Sequence, residues 1–193
     1  MKRFLLAAAM VFAASSASAT VLNFDDLAGD LENVPDGYGG FNWQAGSANL
    51  AVVNESGLAG SGYDYGAVSP SNTIFNAWGA SGAKIDWLGL DTFTFNGAYL
   101  TSAWDSAQDI TFVGYNNGSH VYTSGNFTIN NQSPFWVNLD WVGIDAIEIY
   151  NTGSQWAMDD FTFNAAVDVP ETSTLMLFGL GLLGLGLARR RKV

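Results

Sequence analysis

The sequence predicts an all-β fold: an antiparallel two-sheet sandwich of jelly-roll type, framed by an N-terminal signal peptide and a single C-terminal transmembrane helix. Three observations lead there. From residue 20 onward, short runs of β-branched and aromatic residues are separated by Gly, Asn, Asp and Ser, with no competing helical stretch. Apolar runs flanked by Lys and Arg stand at both ends. Cysteine is absent, so stability has to come from core packing rather than disulfides. The organisation expected is a signal peptide over 1–19, a sandwich over 20–167 and a C-terminal segment over 168–193.

Taken in order, MKRFLLAAAMVFAASSASA has Lys2 and Arg3 ahead of an apolar run from Phe4 to Ala14, then Ala17-Ser18-Ala19, the small residues a signal peptidase reads. The run is well short of the ~20 residues of a membrane span. Export by the general secretion machinery, with cleavage before Thr20, is the expectation.

The next 150 or so residues are enough for one domain with a real core. Candidate strands are VLNFDDL, FNWQ, NLAVVN, TIFNAW, DTFTFNGAYLTSAW, DITFVGY, HVYTSGNFTI, PFWVNLDW, IDAIEIY and WAMDDFTFN. In DTFTF, Phe93 and Phe95 share one face and Thr92 and Thr94 the other, the period of a half-buried strand. In NNGS, Asn-Gly supplies the positive φ of a tight hairpin turn. The glycine-rich GLAGSGYDYG reads as a long surface loop, and Pro170 in Asp168-Val-Pro-Glu breaks any strand before the tail.

All 18 acidic residues of the chain lie between Thr20 and Glu171, where Lys84 is the only Lys or Arg. Such a surface repels phosphate backbones, so nucleic acid is excluded as a partner. The cation it invites is Ca²⁺. Asp25-Asp26 closes the first strand and Asp159-Asp160 lies in the last; in a jelly roll these strands are commonly neighbours, and converging carboxylates repel unless a cation or protons intervene. A structural Ca²⁺ held by Asp25, Asp26, Asp159 and Asp160 is one reading, and solvated strand-end residues or turn caps the other.

Seven tryptophans are many for a domain of this size. Most are expected in the core. Trp78, followed by a glycine, and Tyr63 and Tyr65 in the glycine-rich stretch are the candidates for exposure and for stacking on sugar rings. A serine hydrolase would need the single histidine, His120, which follows the NNGS turn without a Gly-x-Ser-x-Gly elbow. Paired carboxylates also serve glycosidases, yet no motif singles out a pair.

The tail from Thr174 to Ala188 is uncharged and rich in Leu and Gly, and Arg189, Arg190, Arg191 and Lys192 follow it as a cytoplasmic stop. Val169-Pro170-Glu171, the short span (174–188) and the basic end (189–193) resemble the PEP-CTERM sorting signal of Gram-negative bacteria. The resemblance implies recognition of Val169, Pro170 and Glu171 by an exosortase, transient residence in the inner membrane and delivery towards the cell surface. More loosely, FDDL, YLTSAW, GYNNG and MDDFTF are similar to exported domains that accompany such tails. They imply a sandwich akin to non-catalytic carbohydrate-binding modules.

The resulting expectation is an exported, non-catalytic surface or matrix protein associated with exopolysaccharide or biofilm. A lectin-like module and a glycan-active enzyme are the alternatives.

Overall fold

The structure, a computed structural model, describes residues 19–164. The signal peptide up to residue 18, the sorting motif at Val169 to Glu171, the apolar run 174–188 and the basic stop at Arg189 to Lys192 lie outside the described residues.

Within them the chain forms the sandwich expected. Its strands are β1 (Thr20–Leu22), β2 (Asp30–Asn33), β3 (Phe41–Asn42), β4 (Leu50–Asn54), β5 (Asn72–Asn76), β6 (Ala83–Trp87), β7 (Phe93–Ser102), β8 (Gln108–Asn116), β9 (Ser119–Thr123), β10 (Phe127–Ile129), β11 (Phe135–Ile144), β12 (Ala146–Asn151) and β13 (Trp156–Phe163). A seven-stranded sheet runs β11-β7-β13-β5-β4-β2, with β1 also on β13; a six-stranded sheet runs β10-β8-β12-β6-β3, with β9 also on β8. Every pairing is antiparallel, and the first strand pairs with the last, Thr20 opposite Phe163.

Alternation sets the core. Phe93 and Phe95 point inward, and Thr92 and Thr94 do not join them. Phe41 sits at the centre of an aromatic cluster, edge-on to Trp43, Phe93, Phe161 and Phe163 at centroid distances of 5.0–5.7 Å. Each such ring contributes roughly 1.5–3 kcal/mol by leaving water. The buried Trp43 indole N–H donates to the Tyr38 carbonyl, 2.9 Å away.

The structure adds β2 and β6, which no candidate strand covers, and two further stretches differ from the sequence reading. GLAGSGYDYG is more than a surface loop: it holds a short helix, α1 (Gly62–Gly66), packed on β7 and β13. A Cβ at Gly62 would run into the Ser102 carbonyl, and one at Gly66 into the Thr101 side chain. The glycines are there so that a helix can lie flat on a sheet. HVYTSGNFTI is two strands, β9 and β10, rather than one.

The ten-residue β7 defines the long axis, about 30 Å from end to end. One end carries Phe93, Phe163 and Thr20, and the other Ser102 and Trp156.

Candidate binding groove and the acidic crossing

The outer face of the seven-stranded sheet is apolar in its Trp156 half. Ala51 and Val53 of β4, Phe75 of β5 and Ala157 of β13 point away from the main core and join Tyr63 and Ala103 in a second cluster. Tyr63 is brought over this cluster by α1, its ring edge-on to Phe75 (5.5 Å) and to Trp104 (5.6 Å).

Where the roof ends, a groove of about 290 Å³ remains open, walled by Leu31, Trp78 and Trp104 with Asn33, Asn49 and Gln155 at its edges. No charged residue lines it.

Two exposed indoles flank the groove. Trp104 follows β7, half-exposed at 51 %, and its indole N–H donates to Gln155 Oε1 at 2.8 Å. The adjacent Asp105 carboxylate ties this loop to the β12–β13 connection by accepting from the Ser154 backbone N–H (2.9 Å) and hydroxyl (2.8 Å), which holds its carboxyl below the usual range. Trp78 follows β5 at a left-handed backbone position, φ 62°, and is 95 % exposed. A side chain at such a φ costs about 1–2 kcal/mol, and strain of this kind concentrates at functional sites.

Of the predicted stacking residues, Trp78 therefore stands in the groove wall. Tyr65 is exposed (46 %) but does not line the groove. Tyr63 is a correction: it is 4 % exposed and serves as the groove's floor. Burial pushes its hydroxyl well above the usual phenol range. The reason is again the glycines, which draw the stretch onto the sheet instead of letting it swing into solvent.

Trp104 is the residue that sequence reasoning missed. Its signal was position: like Trp78, it is an indole just past a strand end, here before Asp105-Ser106.

The acidic pairs come together only in part. Between the β5 and β1 segments that flank β13, the connection Ser69–Ser71 fills the gap, held by carboxylates. Buried Asp159 accepts from the Ser69 backbone N–H (2.9 Å), the Ser69 hydroxyl (3.1 Å) and the Asp160 N–H (2.7 Å). Asp25 accepts from the N–H groups of Ser71 and Asn72. Burial raises the carboxyl of Asp159 to about 7, against those hydrogen bonds. Burial raises Asp160 as well, with the Asp25 charge adding to it.

Asp26 stands apart, accepting from the Tyr38 hydroxyl at 2.8 Å. Among the described residues no three of Asp, Glu and His are grouped as a metal ion requires. Both Asp159 oxygens and Asp25 Oδ1 face protein N–H donors, so the geometry lends the calcium reading no support.

A larger cavity of about 560 Å³ lies at the opposite end of the sandwich, beside Lys84, Asp86, Asp91 and Asp145. Two of its carboxylates have partners: Asp86 lies 2.8 Å from Lys84 Nζ, and Asp145 accepts from the Asn117 N–H at 2.6 Å. His120 is exposed on β9, its Nε2 within hydrogen-bond distance of the Tyr122 carbonyl and the Thr123 hydroxyl.

Comparison with known proteins adds the tail. Residues 168–192 match the family described as the PEP-CTERM protein-sorting motif. No curated protein matches the chain. The matched segment holds Val169-Pro170-Glu171, the uncharged run and the Arg-Arg-Arg-Lys end. The motif marks the chain as an exported protein processed by an exosortase, a membrane protease, with membrane anchoring before cleavage and display at the cell surface.

Proposed function

Because the chain carries a PEP-CTERM sorting signal, we propose that its sandwich is a non-catalytic, lectin-like protein of the cell surface or extracellular matrix that associates with exopolysaccharide in biofilm. The observation that carries this reading is the Trp78–Trp104 groove. Indole faces pack on the apolar faces of sugar rings, and the amides of Asn33, Asn49 and Gln155 suit hydroxyl groups as donors and acceptors. With no cation in the wall, the groove fits a short neutral saccharide segment better than an acidic one.

Two further observations support binding over turnover. No Asp or Glu lines the groove, whereas glycoside hydrolysis needs a carboxyl pair flanking the bond. The Trp104 indole is held by a side-chain hydrogen bond before any ligand arrives, and that lowers the ordering cost of binding.

Affinity electrophoresis through gels containing neutral polysaccharide tests the reading. Retardation of the sandwich is expected, with loss of retardation in Trp78→Ala and Trp104→Ala and unchanged mobility in gels without polysaccharide. Retardation that survives both substitutions, or release of sugar from the polysaccharide, would overturn it.

A further inference from the structure

The described chain leaves the sandwich beside the start of β7. After β13 ends, the Asn164 N–H donates to the Thr94 carbonyl at 2.8 Å, and the Asn164 Oδ1 accepts from the Thr94 N–H at 2.9 Å. The loop just before β7, Leu88 to Thr92, therefore stands at this exit. It carries the most exposed leucine of the described residues, Leu90 at 105 %, together with Leu88 at 57 %.

The tip is built rather than slack. The Trp87 N–H donates to the Asp145 carbonyl (2.7 Å) and the Leu88 N–H to the Gly40 carbonyl (3.0 Å). Gly89 lies against the Trp87 indole, where a Cβ would collide. With its base pinned, the loop turns both leucines outward.

About nine residues separate Asn164 from the uncharged run that begins at Thr174, a reach of at most about 35 Å. The Trp78–Trp104 groove opens at the other end of β7, about 30 Å away.

We infer that Leu88 and Leu90 form a membrane-contact tip that seats the anchored sandwich, exit end down, on a zwitterionic lipid surface with the groove facing away from the bilayer. The inference rests on the sorting reading, which supplies the anchor. Two leucines are too little to bind lipid from solution. On a tether this short, however, contact becomes intramolecular, at millimolar effective concentration. Zwitterionic lipid is the partner because the cavity that Leu90 helps line carries Asp86, Asp91 and Asp145 against the single cation Lys84, an excess of negative charge that anionic headgroups would oppose.

The chain has no cysteine, so one probe can be placed at will. The full exported chain, residues 20–193, is reconstituted in phosphatidylcholine vesicles with an environment-sensitive fluorophore on Leu90→Cys, or on Ser106→Cys near the groove as the control. Flotation confirms insertion. The Leu90→Cys probe is expected to shift to the blue and to be quenched several-fold more strongly by spin-labelled lipid than the Ser106→Cys probe, and added phosphatidylglycerol is expected to reverse the difference. A chain that floats with both probes equally wet would overturn the seating and leave the anchor intact. A chain that does not float would overturn the anchor and the seating together.

Discussion

The buried carboxylate of Asp159 makes the stability of the sandwich fall as pH rises through the mildly acidic range. In the folded protein, burial holds this group at about 7; an unperturbed aspartate titrates near 3.8. Below pH 3.8 both states carry the proton. Between 3.8 and 7 the folded state keeps the proton while the unfolded chain has lost it, so stability falls by about 1.4 kcal/mol per pH unit. Above 7 both are ionised and the loss levels off, for a total of about 4 kcal/mol. Asp160, raised in the same direction, steepens the slope.

Asp159→Asn removes the titration. Its single amide oxygen can accept from Ser69 N–H or from Asp160 N–H, but not from both as the carboxylate does. Losing one acceptor for a buried donor costs about 1–3 kcal/mol at low pH. The variant is thus expected to be less stable than the parent at pH 4.5 and equal or more stable at pH 8. Urea unfolding of residues 20–167 at half-unit intervals, in moderate salt to screen the overall negative charge, gives both curves. Parallel curves, or a parent whose stability rises from pH 4.5 to 7, would refute the reasoning, because only a carboxyl protonated in the fold makes them cross.

Other outcomes follow from the same geometry. Trp78→Gly should relieve the left-handed strain and raise stability by about 1 kcal/mol in thermal unfolding while abolishing polysaccharide retardation, so stability and binding move in opposite directions. Gly62→Ala should cost about 1–3 kcal/mol, since its Cβ meets backbone of β7 rather than a side chain that can yield, and should redden Trp104 emission as the Tyr63 ring is displaced from it. Chelator or millimolar Ca²⁺ should leave the melting temperature of the sandwich unchanged, as Asp25 Oδ1 and both Asp159 oxygens already face N–H donors; a rise with Ca²⁺ would restore the metal reading.

Much of the fold was legible because it rests on period-two burial and turn chemistry. Phe93 and Phe95 enter the core as their spacing requires, and Asn117 and Gly118 take the positive φ of the hairpin turn. What escaped lacked such a signal. All of β2 is exposed, so DLEN shows no alternation. In β6 only Ala83 and Ile85 are buried, between Lys84, Asp86 and the partly exposed Trp87, too short a pattern to read.

The groove was half legible. Trp78 beside a glycine announced an exposed indole. Trp104 was hidden by its place at the end of a long apolar strand, whose ladder on β13 reaches only Ser102. Tyr63 was misplaced because glycine marks loops in general, whereas here it marks a helix pressed against a sheet. The convergence of the first and last strands was foreseen, but which donors meet their carboxylates depends on Ser69 and Ser71, distant in sequence.

The account depends most on the tail that takes this sandwich out of the cell. Its most direct test is the intact mass and location of the protein in cells with and without an exosortase. With the enzyme, the expected product is extracellular or surface-bound, begins at Thr20 and ends near Glu171; without it, the chain keeps its C-terminus through Val193 and stays with the membrane. A product that reaches the surface with Leu175 to Val193 still attached while the exosortase is present would contradict the account.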